Sequence, residues 1–154
     1  MSSDQGDERQ GECQIRPLGS EAGILAAGLG SSPYLDASFL SSLVDRDLIH
    51  CLNGREAWTA WIGEEPCGFL ILDPGPDRVA ELTLAVLPAA RRRGIGRRLV
   101  EFARERGRSE GWARLTILVE LQNKGGLAFF GNLGFADGHT QLKDYRCMRQ
   151  DLPT

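Results

Sequence analysis

Pro88-Ala89-Ala90-Arg91-Arg92-Arg93-Gly94-Ile95-Gly96-Arg97-Arg98-Leu99 is the stretch on which the fold of this chain turns. It follows Val79–Val86 (VAELTLAV), where Leu82, Leu84 and Val86 share one face and Glu81, Thr83 and Ala85 the other, the alternation of a β-strand. Pro88 ends that strand. Beyond it, Ile95, Leu99, Phe102 and Ala103 fall on one stripe, which predicts an amphipathic helix over Gly96–Glu110, weakened by Gly107 and stopped by Gly111. The stretch therefore lies where a strand gives way to a helix. A helix start leaves backbone N–H groups unpaired, and the helix dipole adds partial positive charge there. Gly94 and Gly96 carry no Cβ, so the backbone can close around an anion, and Arg91, Arg92, Arg93, Arg97 and Arg98 supply charge and donors. A pyrophosphate suits this chemistry. The Walker pattern fails after Gly94, and the dinucleotide fingerprint fails because Leu99 stands where its third glycine belongs. Taken alone, the same residues also describe a solvated arginine cluster on a glycine-rich helix start, or a grip on a nucleic-acid backbone.

Outward from this stretch the pattern is mixed. Cys13–Leu18 predicts a short strand stopped by Pro17. Ser20 is placed to cap a short helix containing Ile24, Leu25 and Leu29, Gly28–Pro33 is a loop, and Asp36 is placed to cap a second helix over Phe39 to Leu48. Glu56–Ile62 and Cys67–Leu72 predict two strands joined through Gly63–Pro66, and Asp73–Asp77 predicts a turn. Leu115–Leu121 is apolar apart from Thr116 and Glu120, as a central strand is. Gly125–Leu133 predicts a helix closed by Gly134, and Leu142–Leu152 closing strand material. This order predicts a mixed α/β layered domain.

The 154 residues suit one domain over 13–154, after a polar opening, Met1–Glu12, expected as a disordered tail. That opening lacks the apolar run of a signal peptide, and no stretch approaches a membrane span. The net charge of −3 argues against the nucleic-acid reading. Four scattered cysteines without a CxxC pair argue against structural zinc and a disulfide framework, and fit reduced thiols in the cytoplasm. His50 and His139 show no metal-ligand spacing, and Trp58, Trp61 and Trp112 suit packing.

Several of these residues together resemble the GNAT acetyltransferase superfamily. Its acetyl-CoA motif is an arginine or glutamine, two residues, a glycine, one residue, and a glycine or alanine, matched here by Arg91 to Gly96 after Val86-Leu87-Pro88. A next strand ending in Asn123, the helix ending Asn132-Leu133-Gly134-Phe135 and the opening Ile15-Arg16-Pro17 fit the same pattern, so the resemblance covers about Gln14 to Leu152. It implies a central, mostly antiparallel, splayed sheet of six to seven strands flanked by about four helices. It implies that backbone around Leu84, Ala85 and Val86 holds the pantetheine arm. Arg91, Arg92, Arg93, Gly94, Ile95, Gly96 and Arg97 would hold the pyrophosphate, and Asn123 would meet the cofactor or an ordered water. It also implies acetyl transfer from acetyl-CoA to a primary amine in one ternary complex, without a metal, in a protein that is frequently a homodimer.

A lysine-like amine costs roughly 4–5 kcal/mol to deprotonate at pH 7, so a base is needed. Glu81 is the candidate, on the polar face with Thr83; a surface glutamate paired with an arginine is the equal alternative, and Glu120 is a weaker second candidate. The family's usual acid is a tyrosine five residues before the phenylalanine of Leu-Gly-Phe. Here that position is Phe130, which has no hydroxyl and packs either against the cofactor or into the core. Tyr145 is the candidate replacement. The acidic residues Asp36, Asp45, Asp47, Glu64, Glu65 and Asp144 favour a cationic acceptor, or form a solvated face. No nucleic-acid or membrane partner is expected. A catalytically weak acetyl-CoA sensor is the reading from another class.

Overall fold

The periodicities of the sequence become elements with little change. The computed structural model describes residues 13–19 and 54–153, with backbone alone at 139–142. In chain order these form β1 (Cys13–Pro17), β2 (Glu56–Ile62), β3 (Glu65–Pro74), β4 (Val79–Val86), α1 (Ile95–Glu110), β5 (Arg114–Glu120), α2 (Lys124–Asn132), β6 (Ala136–Leu142) and β7 (Tyr145–Asp151). The strands make a seven-stranded sheet in the order β1-β2-β3-β4-β5-β7-β6. Pairing is antiparallel between β1 and β2, β5 and β7, and β6 and β7, and parallel between β4 and β5. The fold is the mixed α/β, mostly antiparallel sheet that the sequence predicts. Two α-helices stand among the described residues; those expected after Ser20 and Asp36 lie outside them, as do Asp36, Asp45, Asp47 and His50.

By compactness the chain divides into one unit that runs through Ile71 and includes Leu84–Leu99, and another formed by Leu72–Thr83 and Val100–Thr154. In the first, Ala57 and Thr59 are buried on one face of β2 and Ala60 on the other, and Phe69 and Leu70 of β3 are buried as well. The turn from β2 to β3 takes two residues, Gly63 and Glu64, so β3 begins two residues earlier than expected. Gly63 has φ 61, the left-handed backbone that the first position of such a tight hairpin turn requires. In the second unit, Leu115, Ile117 and Val119 bury one face of β5 beside Met148 of β7. The other face of β5 differs from expectation: the ladder with β4 ends at Thr116, and Leu118 beyond it, paired only toward β7, is 36% exposed.

Two glycines have tertiary reasons. Gly107, inside α1, is more than a weak point in the helix: a Cβ there would run into the Leu152 side chain, so the missing side chain lets Leu152 bury itself against the helix. Gly134 closes α2 with φ 96. A Cβ at Gly134 would lie 2.7 Å from Gln150 Nε2. That amide is committed: Gln150 Nε2 donates to Leu133 O at 3.1 Å, and Arg104 Nε donates to Gln150 Oε1 at 2.6 Å. The Arg104 guanidinium also donates to Leu133 O. One arginine from α1 thus satisfies a carbonyl that the end of α2 leaves open.

Gly134→Ala has to hold an L-residue in the left-handed region and push Gln150 aside. We expect it to lower unfolding free energy by about 1–2 kcal/mol, read by chemical denaturation; an unchanged midpoint would show that this helix end relaxes freely.

Candidate active site

The anion-binding stretch is built as its sequence demands. A 3-10 turn, Pro88–Ala90, follows β4, and Ala90 N donates to Leu87 O at 2.9 Å. Ala90 and Ile95 are buried while Arg91, Arg92, Arg93 and Gly94 between them are exposed, so the loop is pinned at both ends and free in the middle. Arg92 has φ 67 and Gly94 φ 76, two left-handed residues that fold the loop back onto the helix start. Arg98 N donates to Gly94 O at 3.0 Å and makes the first bond of α1. The amides of Ile95, Gly96 and Arg97 precede that bond and have no acceptor within the helix. A Cβ added to Gly94 would meet nothing within 4 Å. The glycine therefore serves backbone conformation, and the space beside its own Cα is open. Arg97 points to solvent, and Arg91 Nε reaches Val86 O at 3.4 Å. An array of exposed guanidinium groups around open amides suits a pyrophosphate.

Leu84, Ala85 and Val86, the expected seat of a pantetheine arm, are half-buried at the end of β4. Their backbone is held by a glycine that sequence reasoning passed over. A Cβ at Gly68 of β3 would lie 2.6 Å from Ala85 O and 3.3 Å from Val86 Cα, and Leu87 N donates to Cys67 O at 2.7 Å. A lone glycine inside a strand is the available signal for such close approach.

In the second unit, Asn123 does not end a strand. β5 stops at Glu120, and Asn123 caps α2, its Oδ1 accepting from Gly126 N at 2.9 Å. The cap fits because Gly126 has no side chain: a Cβ there would lie 2.6 Å from Asn123 Nδ2. Phe130 is 6% exposed and edge-to-face with Phe129 at 5.0 Å and Phe135 at 5.4 Å.

Glu81 and Tyr145 stand on one sheet face. Glu81 opposes Thr116 in the parallel ladder of β4 with β5, and Thr116 opposes Arg149 on β7. Tyr145 opposes Glu120 at the other end of the β5 ladder. Glu81 is exposed and engaged by a neighbour, and Tyr145 is 37% exposed. From Thr116 to Glu120 is about 13 Å along the strand, and two strand spacings add about 10 Å across. The candidate base and acid therefore reach one reaction only by leaning toward each other over Leu118 and Cys147.

The thiols are not built as nucleophiles. Burial pushes the Cys67 thiol up; it is 5% exposed and its Sγ donates to Glu65 O at 3.3 Å. Burial raises Cys147 as well, and the carboxylates of Glu81 and Asp137 add to it. Cys13, Cys67 and Cys147 are free thiols. Among the described residues no group of histidine, cysteine, aspartate or glutamate is arranged to hold a metal. No helix among them is long and apolar enough to cross a membrane. Glu64, Glu65 and Asp144 are exposed, and the Asp144 carbonyl accepts from Leu121 N at 2.9 Å.

The family model of the GNAT acetyltransferases matches residues 30–135. The chain belongs to the GNAT acetyltransferase family. Solved structures share its fold. A Desulfovibrio desulfuricans protein of the GNAT family superposes with TM-score 0.79 at 18% identity, over 92% of this chain and 100% of that one. The GNAT domain of S. lividans PAT gives TM-score 0.72 at 20% identity, over 91% and 90%. The Escherichia coli ribosomal-protein-S18-alanine N-acetyltransferase gives 0.70 at 19%, over 93% and 96%. No curated protein matches the sequence. Within this GNAT chain the reasons for Gly68 and Gly126 lie in packing.

The cap makes a cycle. Gly126→Ala should cost about 1 kcal/mol or more in the native protein by dislodging Asn123. In the Asn123→Ala background the same change should be neutral or stabilising, because alanine favours a helix over glycine by about 1 kcal/mol. Equal cost in both backgrounds, measured by urea unfolding, would show that the two residues are not coupled.

Proposed function

We propose that this GNAT protein transfers the acetyl group of acetyl-CoA to a primary amine. The observation that carries the reading is the start of α1: open amides at Ile95, Gly96 and Arg97 behind a left-handed Gly94, ringed by exposed Arg91, Arg92 and Arg93. Leu84, Ala85 and Val86 hold the pantetheine arm by their backbone, with the Val86 amide polarising the thioester carbonyl. Asn123 contributes a cofactor contact through the amide that its cap orients, and Phe130 supports α2 from the core.

Glu81 takes the proton of the acceptor ammonium, directly or through water. The free amine nitrogen then forms a bond to the carbonyl carbon, the carbon–sulfur bond breaks, the Tyr145 hydroxyl donates a proton to the departing thiolate, and the second proton shed by the new amide nitrogen returns through water to the Tyr145 phenolate. The products are an N-acetylated amine and free coenzyme A. A thiol has a pKa near 8.5, so the missing family tyrosine at Phe130 costs on the order of 1–2 kcal/mol, within reach of Tyr145. The S18-alanine enzyme of Escherichia coli, by its name, acts on an amino group, which supports an amine acceptor here. Free cysteines support a cytoplasmic setting.

Calorimetric titration with acetyl-CoA should show saturable binding by the wild type and at least about tenfold weaker binding by Gly94→Asp. No binding by the folded wild type would remove the reading; binding without turnover on any amine would make the protein a sensor. Glu81→Gln should lower kcat by about a hundredfold or more and flatten the acid limb of its pH profile. Tyr145→Phe should lower kcat by about tenfold and leave acetyl-CoA affinity unchanged. An unaltered pH profile in the first variant, or an unaltered rate in the second, would strike that residue from the mechanism.

A further inference from the structure

Leu118 and Tyr145 are the two large apolar side chains with more than a third of their surface exposed among the described residues, at 36% and 37%. A single exposed leucine means little. These two are neighbours. Leu118 opposes Cys147 and Glu120 opposes Tyr145 in the ladder of β5 with β7, so the four side chains form one block on the same sheet face. The opposite face carries buried Ile117, Val119 and Met148. β5 runs between β4 and β7, but its ladder with β4 ends at Thr116, so Leu118 lies past the last β4 partner and is paired only toward β7. An apolar patch left open where β5 has parted from β4 calls for an occupant.

The flanks of the patch carry charge. Glu120 stands at one end beside Tyr145, and Glu81 at the other, diagonal to Leu118 through Thr116. Glu81 is near enough to Cys147 to raise its thiol. Arg149, opposite Thr116, and Arg114, ion-paired with Asp151, carry the guanidinium groups of β5 and β7 on this face. The proposed base and acid are separated by this patch, so amine and thioester together, if they are to reach both groups, must lie over Leu118 and Cys147.

Resting on the acetyltransferase reading, we infer that Leu118, Cys147 and the Tyr145 ring seat an apolar group of the acceptor, which is a small primary amine of the alkylamine or arylalkylamine class. The ammonium is drawn by the Glu81 carboxylate, and the apolar group covers the exposed leucine. The exposed area, parts of two side chains and one thiol, matches a single ring or branched alkyl group. Polyamines and aminoglycosides would set charge or hydroxyls against Leu118 and leave it wet.

Steady-state kinetics at saturating acetyl-CoA on phenethylamine, isoamylamine, spermidine, an aminoglycoside and tripeptides with apolar first residues tests this. The arylalkylamine or branched alkylamine should exceed spermidine and the aminoglycoside by about tenfold or more in kcat/KM. Leu118→Ser should raise KM for the favoured amine by about tenfold and leave the calorimetric Kd of acetyl-CoA within twofold. Preference for spermidine, the aminoglycoside or the tripeptides, or a KM indifferent to Leu118→Ser, overturns the inference while acetyl-CoA binding stands. Failure to bind acetyl-CoA removes the acetyltransferase reading and the inference with it.

Discussion

Burial of Ile95 and Leu99 fixes where α1 begins, and the rest of the site depends on that register. With those side chains closed off, the helix cannot slide, so its first bond must run from Arg98 to the carbonyl of Gly94. Everything before that bond is left as unpaired donors, and the loop that reaches it must turn through the left-handed conformations of Arg92 and Gly94. Hydrophobic burial, which has no direction of its own, here sets the direction of a row of amides. The arginines amplify that row without creating it.

The second constraint is the use of absent side chains. Gly68 admits the backbone of Ala85 and Val86, Gly107 admits Leu152, and Gly126 admits the amide of Asn123. Each glycine in the interior of an element costs about 0.5–1 kcal/mol against alanine, so each needs an offset. Close approach supplies it: a strand end held near its neighbour, a carboxy-terminal leucine buried, a helix start capped. Arg104 does related work from the polar side, since one guanidinium serves both Gln150 and the open carbonyl of Leu133.

The legible parts of the fold were those decided locally. β2 and β4 have the ends that alternation and Pro88 predict, and α1 begins one residue earlier than its stripe suggests. The anion loop was legible because glycine spacing and arginine density are local facts. Asn123 was misplaced at a strand end although asparagine ahead of a helix is a capping signal; the apolar run before it drew the strand too far. Gly68, Gly126 and Gln150 answer to residues that the sequence does not set beside them, or to side-chain reach that no spacing rule expresses. The open face of β5 was hidden for a different reason. Leu118 has the composition of a core residue; alternation sets it on the face of Glu120, and only the register with β7 adds Tyr145.

β6 bounds one side of the sheet, and its ladder with β7 breaks register between Asp137 and Gln141. A broken ladder leaves the outer row of amides and carbonyls out of step, and the strand itself, Ala-Asp-Gly-His-Thr-Gln-Leu, is mostly polar. Such an edge is a poor template for another strand. The irregularity acts as a guard against open-ended growth: copies of this protein have no even ribbon along β6 on which to stack sheet upon sheet. Association through this side would have to rely on side chains, whose pairing can be selective, and not on backbone, whose pairing is open to any extended chain.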